Sequence, residues 1–120
     1  MPHKPQKYVY DMLDRAQFLL SDLDKRVRSD LDTDRWYRSA VERELQIIGE
    51  ALFQLNGAYP EIAERIPFHT DIIGFRHVLV HGYTTLDYDR VWATLHEDLP
   101  ELTETLSRLL DELDSKEAQS

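Results

Sequence analysis

The sequence predicts an all-α protein, a bundle of four or five helices. Three observations predict it. Apolar residues recur at three- and four-residue steps through most of the chain, the repeat of an amphipathic helix. No stretch alternates apolar and polar residues for long enough to make a strand. A chain of 120 residues, 42% hydrophobic and 31% charged, is long and apolar enough to bury one core, and its composition is that of a globular protein.

The elements follow in order. Val9, Met12, Leu13, Ala16, Leu19, Leu20, Leu23 and Val27 mark one face of a first helix. The polar run from Ser29 to Asp34 supplies N-cap candidates for a second, whose stripe is Tyr37, Val41, Leu45, Ile48, Leu52 and Leu55. Asn56-Gly57, with Pro60 beyond, is the expected left-handed stop. A third helix is expected from near Pro67, a first-turn residue, to about Gly82. A fourth begins among Thr84, Thr85 and Asp87, turns Val91, Trp92 and Leu95 inward, and is broken or kinked by Pro100. Asp98 with Glu101 three residues later resembles the capping box of a fifth, lined by Leu102, Leu106, Leu109 and Leu113. Residues 1–114 are read as one helical domain and residues 115–120 as a frayed acidic or polar tail, with no repeat or linker dividing the chain.

Composition narrows function. There is no cysteine, which removes disulfides, thiolate nucleophiles and cysteine-based metal centres. No apolar run reaches the roughly 20 residues of a membrane span. The first residues, Met1-Pro2-His3-Lys4-Pro5, lack a secretory apolar stretch, so a cytoplasmic location is expected. A net charge of −9 argues against a broad nucleic-acid surface. The acid is uneven, however. Arg65 to Arg90 holds three arginines, three acids and three histidines, and that neutral stretch is where an anion can sit.

The third helix is the unusual one. Ile72, Ile73, Phe75, Val78, Leu79 and Val80 make it apolar on nearly every side, as in a helix at the centre of a bundle or dimer. Arg76 sits within it and cannot lose its charge, so it needs a carboxylate such as Glu50, a ligand or a path to water. His77 and His81 are four residues apart on one face; Arg76 and His81 are five apart, about 140° around an ideal helix. A long arginine and a histidine near the helix end can still meet on one phosphate. Two histidines at this spacing also suit zinc, but Val78 stands where a metalloprotease helix has glutamate and no third ligand follows, so no metal is expected. Phe68, Trp36 and Trp92 read as core or interface, and His69 and His96 as surface or capping residues.

Arg76-His77-Val78-Leu79-Val80-His81 matches the pattern of arginine, polar residue, three residues and histidine that marks the HEPN superfamily of ribonucleases. The longer stretch from Ile66 to Tyr83, together with Ala40–Ala51, Asp89-Arg90-Val91-Trp92 and Leu99-Pro100-Glu101-Leu102, resembles its HepT branch over about residues 8 to 110. The resemblance implies a helical homodimer whose motif helices line a shared cleft, and a metal-independent RNA endonuclease that uses no cofactor. It places the catalytic arginine and histidine on Arg76 and His81, and an assisting polar residue on His77, where this branch more usually has asparagine. It also implies a toxin paired with a minimal nucleotidyltransferase antitoxin that silences it by attaching AMP to Tyr83. Glu50 is a candidate to orient Arg76. The competing reading is a non-catalytic helical dimer that binds a nucleotide or a nucleotidyltransferase partner.

Overall fold

The computed structural model describes residues 2–74 and 86–119, and every regular element among them is helical. Helix α1 spans Pro5–Leu20, with Pro5 in the first turn, where its missing N–H has no partner to lose. It buries Tyr8, Val9, Met12, Leu13, Ala16 and Leu19, as the periodicity predicts. The expected continuation to Val27 does not occur. The Ser21 hydroxyl donates to the Phe18 carbonyl at 2.6 Å, and the chain turns there. Leu23 is buried from a 3₁₀ turn at Leu23–Lys25, whereas Val27 is 59% exposed. The stripe holds within α1 as far as Leu20; Leu23 joins the core from the turn and Val27 lies beyond it.

A short helix α2, Asp30–Thr33, sinks Leu31 into the core. Helix α3, Arg35–Ala58, starts where the polar run predicts a cap, with the Asp34 carboxylate accepting from the Tyr37 backbone N–H at 3.1 Å. Its expected stripe is buried in full, from Tyr37 to Leu55. Gly57 is not a left-handed stop; no described glycine has positive φ, and α3 ends instead at Ala58 before α4, Pro60–Ala63. Here the proline ends the helix, because the residue before it is steered out of the helical region: Tyr59 has φ −140° and ψ 67°.

Helix α5 begins at residue 69, two positions later than expected at Pro67, and is described over 69–74. Phe68 takes a left-handed conformation, φ 62°, and its carbonyl accepts the Ile72 N–H at 2.8 Å. Helix α6, Tyr88–Ala93, is capped by Asp87, whose carboxylate accepts from the N–H groups of Asp89 at 3.0 Å and Arg90 at 3.4 Å. The α-helix is interrupted just before Pro100, as expected, but by a π segment and not by a gap. A π turn at Thr94–Asp98 carries α6 into α7, Leu99–Ala118, and the Leu99 N–H bonds to the Thr94 carbonyl. Asp98 makes no side-chain cap, so the expected capping box is absent. The wider turn places Pro100, which has no N–H, at the start of the α7 hydrogen-bond ladder.

Helix α1 packs against both α3 and α7, and the core lies where these three meet. Residues 115–118, expected to fray, are the last turn of α7. Glu117 there pairs with Lys4 and accepts from Gln6 Nε2 at 2.5 Å.

Candidate functional site

Arg76, His77, His81 and Tyr83 lie outside the described residues, so the structure describes the frame around their segment. That frame has two ends. The chain enters through Ile66, which is buried, Phe68 and α5; it leaves through Asp87 and α6. Phe68 is large, and a left-handed backbone costs a bulky residue of the order of 1 kcal/mol or more. The bend nonetheless swings the chain from the buried Ile66 into α5 within two residues.

The outgoing end is pinned to α3 and to the turn before α2. The Tyr88 hydroxyl donates to the Glu42 carboxylate, and Arg28 Nε reaches Asp89 at 2.7 Å. Burial raises the Tyr88 hydroxyl pKa first, and the neighbouring Glu42 carboxylate raises it further, to about 12. Tyr88 is therefore a standing donor at neutral pH.

Between the two ends lies a small cavity of about 30 Å³. Leu45 and Ile48 of α3, Phe68 and Ile72, and Leu99 and Leu102 of α7 give it apolar walls. Asp71, Arg90, Thr94 and Asp98 supply its polar groups. A volume of this size holds about two waters. Burial holds the Asp98 carboxyl above the usual aspartate range; Glu97, Asp71 and Glu101 push the same way and Arg90 opposes them. The π turn is what brings Asp98 to this cavity. Sequence reading took Asp98 for a helix cap and missed this position, because the only signal, a proline two residues on, reads equally well as a helix boundary.

Glu50 is the one sequence-predicted site residue within the described region. It lies half-buried on α3 and accepts from Gln54 Nε2 at 3.1 Å. It borders a groove of about 380 Å³ between α1 and α3, together with Lys7, Asp11, Arg43, Gln46 and Ile47. Among the described residues no group of three or more histidines or carboxylates is placed to hold a metal ion. His69 and His96 make local contacts, Nδ1 lying 3.2 Å from the carbonyls of Ile66 and Trp92 respectively. Trp92 is half-buried against the core and Phe68 lines the cavity, but Trp36 is 86% exposed and is not a core residue.

The comparisons with known proteins agree with one another. Residues 12–109 match the family described as Ribonuclease HepT-like. A protein of Methanocaldococcus jannaschii named "Putative RNase" is 30% identical over 79% of this chain and 86% of its own length. A protein of Caldanaerobacter subterraneus subsp. tengcongensis with a name of the same form is 29% identical over 88% of this chain and 94% of its own. The "Probable ribonuclease HepT" of Thermococcus cleftensis is 32% identical over 63% of this chain and 68% of its own. No solved structure matches the chain. The family match runs unbroken across both ends of the frame and the segment between them, and the chain belongs to the HepT-like ribonucleases of the HEPN superfamily.

Proposed function

We propose that the protein is a metal-independent RNA endonuclease whose chemistry is carried by Arg76 and His81. The observation that carries this reading is the family match over residues 12–109, which includes the Arg76–Tyr83 segment. In the proposed reaction a histidine removes the proton of a ribose 2′-hydroxyl, because imidazole titrates near neutrality. The 2′-oxygen attacks the adjacent phosphorus, the bond from phosphorus to the 5′-oxygen breaks, and that oxygen takes up a proton. The products are a 2′,3′-cyclic phosphate and a 5′-hydroxyl. Arg76 grips the phosphate in a two-pronged hydrogen bond and offsets the charge that builds on it. His77 assists, and Glu50 orients Arg76. None of these roles calls for a metal.

The active unit is a cytoplasmic homodimer, a second subunit completing a narrow cleft. This fits a chain of net charge −9, which has little means of binding RNA over a broad face. The cognate antitoxin is a minimal nucleotidyltransferase. It transfers AMP from ATP to the Tyr83 hydroxyl, releasing pyrophosphate, and the added bulk and negative charge beside the phosphate site block the nuclease. No described helix is long and apolar enough to cross a membrane.

The test is cleavage of a labelled RNA in EDTA by the parent, Arg76→Ala and His81→Ala proteins. The parent is expected to leave cyclic phosphate ends and both variants to lose at least a hundredfold in rate. Equal activity in the variants would remove the assignment. Intact mass after co-expression with the neighbouring nucleotidyltransferase should rise by whole AMP units that map to Tyr83. A partner-free protein that cleaves nothing, with or without metals, yet binds a nucleotide or the nucleotidyltransferase, would establish the non-catalytic reading instead.

A further inference from the structure

The second large groove of the molecule lies at the far end of α1 and α3, and its lining is unusual. Phe18, at the end of α1, is 56% exposed, and Trp36, in the first turn of α3, is 86% exposed. Both line one groove of about 290 Å³, which Ala40 also lines. Arg26 lies over the Tyr37 ring, its guanidinium carbon 4.2 Å from the ring centre. Its charge is held by Asp22 at 2.9 Å and Asp34 at 3.2 Å. The Tyr37 side chain is nine-tenths buried there, and its hydroxyl has no hydrogen-bond partner among the described residues. Two exposed aromatics and an orphaned buried hydroxyl are each a cost to a free monomer, and one groove carries both.

From this we infer a stacking subsite for an unpaired RNA base, with Trp36 as the platform and Phe18 as the opposing wall. The inference rests on the ribonuclease reading for its choice of ligand. Three features favour a base over a phosphate or a peptide. The groove's cation is already neutralised, so a phosphate gains little there. The π-face of a base needs no basic field, which suits a chain of net charge −9. The partly exposed carboxylates of Asp22 and Asp34 accept only, so they select bases that present amino or imino donors, guanine above all.

The position suits a strand running from the cleft. Trp36 and Glu50 are fourteen residues apart on α3, within about 40° of the same side and about 21 Å apart along the axis. Arg43 stands midway, exposed and without an ion pair among the described residues. The groove that holds Glu50 is also lined by Arg43, and Ala40, one turn earlier, lines the groove of Trp36. A single strand several nucleotides long spans that distance, with a backbone phosphate near Arg43. The subsite thus lets an acidic nuclease hold and select a strand away from the scissile bond.

The test uses Trp92→Phe protein, in which Trp36 is the remaining indole, and short single-stranded RNA fully methylated at the 2′-oxygen, which binds but cannot be cleaved by 2′-attack. Saturable quenching of Trp36 fluorescence is expected, stronger with purine than with pyrimidine oligomers. Trp36→Ala should weaken binding, measured by anisotropy of a labelled oligomer, five- to a hundredfold. Trp36→Phe should recover most of the loss, and Phe18→Ala should cost less than Trp36→Ala. Unchanged affinity in Trp36→Ala overturns the subsite. So does a fluorescence change that follows protein concentration alone, which assigns the groove to a second copy, or one that appears only with the nucleotidyltransferase. Because the oligomer cannot be cut, binding is judged apart from catalysis. Quenching by a parent that cleaves no RNA would sink the nuclease reading and keep the subsite.

Discussion

Asp87 and Asp98 are twins in sequence and opposites in the structure. Asp87 is exposed, and its carboxylate takes two of the first N–H groups of α6. Replacing it with alanine should cost about 1 kcal/mol, seen as a shift in the urea midpoint at unchanged slope. Asp98 gives nothing to the backbone and is held above its ordinary pKa, chiefly by burial. A group whose pKa is raised on folding favours the folded state below its ordinary pKa and loses that contribution as pH rises through the raised value. At neutral pH the ionised Asp98 is therefore a liability. Asp98→Asn is expected to melt higher than the parent at pH 7, with the advantage shrinking as the pH falls through the raised value and gone below the ordinary aspartate range. The same rule governs Tyr88. Its hydroxyl, raised to about 12, stays protonated in the folded protein above pH 10, where an unfolded tyrosine ionises. A pH titration of tyrosine absorbance should show late ionisation from Tyr88 and from Tyr37, whose hydroxyl burial also raises, and Tyr88→Phe should remove the first of these; stability should fall as pH climbs from 10 toward 12.

The helices differ in how far the sequence discloses them. The long stripes of α1 and α3 were legible because both helices bury one face along their length, and both capping residues, Asp34 and Asp87, fell within the expected polar runs. The errors cluster where one local rule competes with another. Asn56-Gly57 has the chemistry of a helix stop, but Pro60 sets the end two residues later. Pro67 suits a first turn, yet Phe68 reverses the backbone before α5 can begin. Pro100 marks a real interruption of the α-helix, because a proline conflicts with α-helical bonding, but the interruption takes the form of a π turn that widens the ladder just before it. The buried face runs through that turn, since Val91, Leu95 and Leu99 are all buried. Of the candidate site, the family pattern could be read from the chain. The Asp71, Arg90 and Asp98 cluster could not, since only the fold joins residues from α5, α6 and the π turn. Trp36 was expected in the core or at an interface, and its 86% exposure removes the first of these.

At the scale of the whole molecule, one core does the work. Met12, Leu52, Leu55, Leu99, Leu102 and Leu106 are essentially free of solvent and come from α1, α3 and α7. Leu52→Ala or Leu106→Ala should each cost about 2–5 kcal/mol, enough to place the variant near the limit of stability for a domain of this size. Denaturant unfolding of either variant checks this, and a loss below about 1 kcal/mol would show that α1, α3 and α7 do not share the core. The Cα radius of gyration is 14.7 Å, against roughly 13.6 Å for a compact chain of this length. A monomer of this shape presents long helical flanks, which suits the proposed pairing of two copies. Size exclusion with light scattering should then report twice 14.2 kDa.

The Lys4 and Gln6 contacts with Glu117 have a practical reach beyond their small energy. Tyr59 holds His3 by a hydrogen bond of 2.9 Å, so the start of α1 and the end of α7 meet at one pole, beside the end of α3. Trp36 and Phe18 stand at the opposite pole. A dye or affinity handle attached beside Lys4 or Glu117 therefore labels the protein without screening the aromatic groove. A short bridge between those two points, with new ends opened in an exposed turn, is a rational first design for a rearranged chain that keeps the same core.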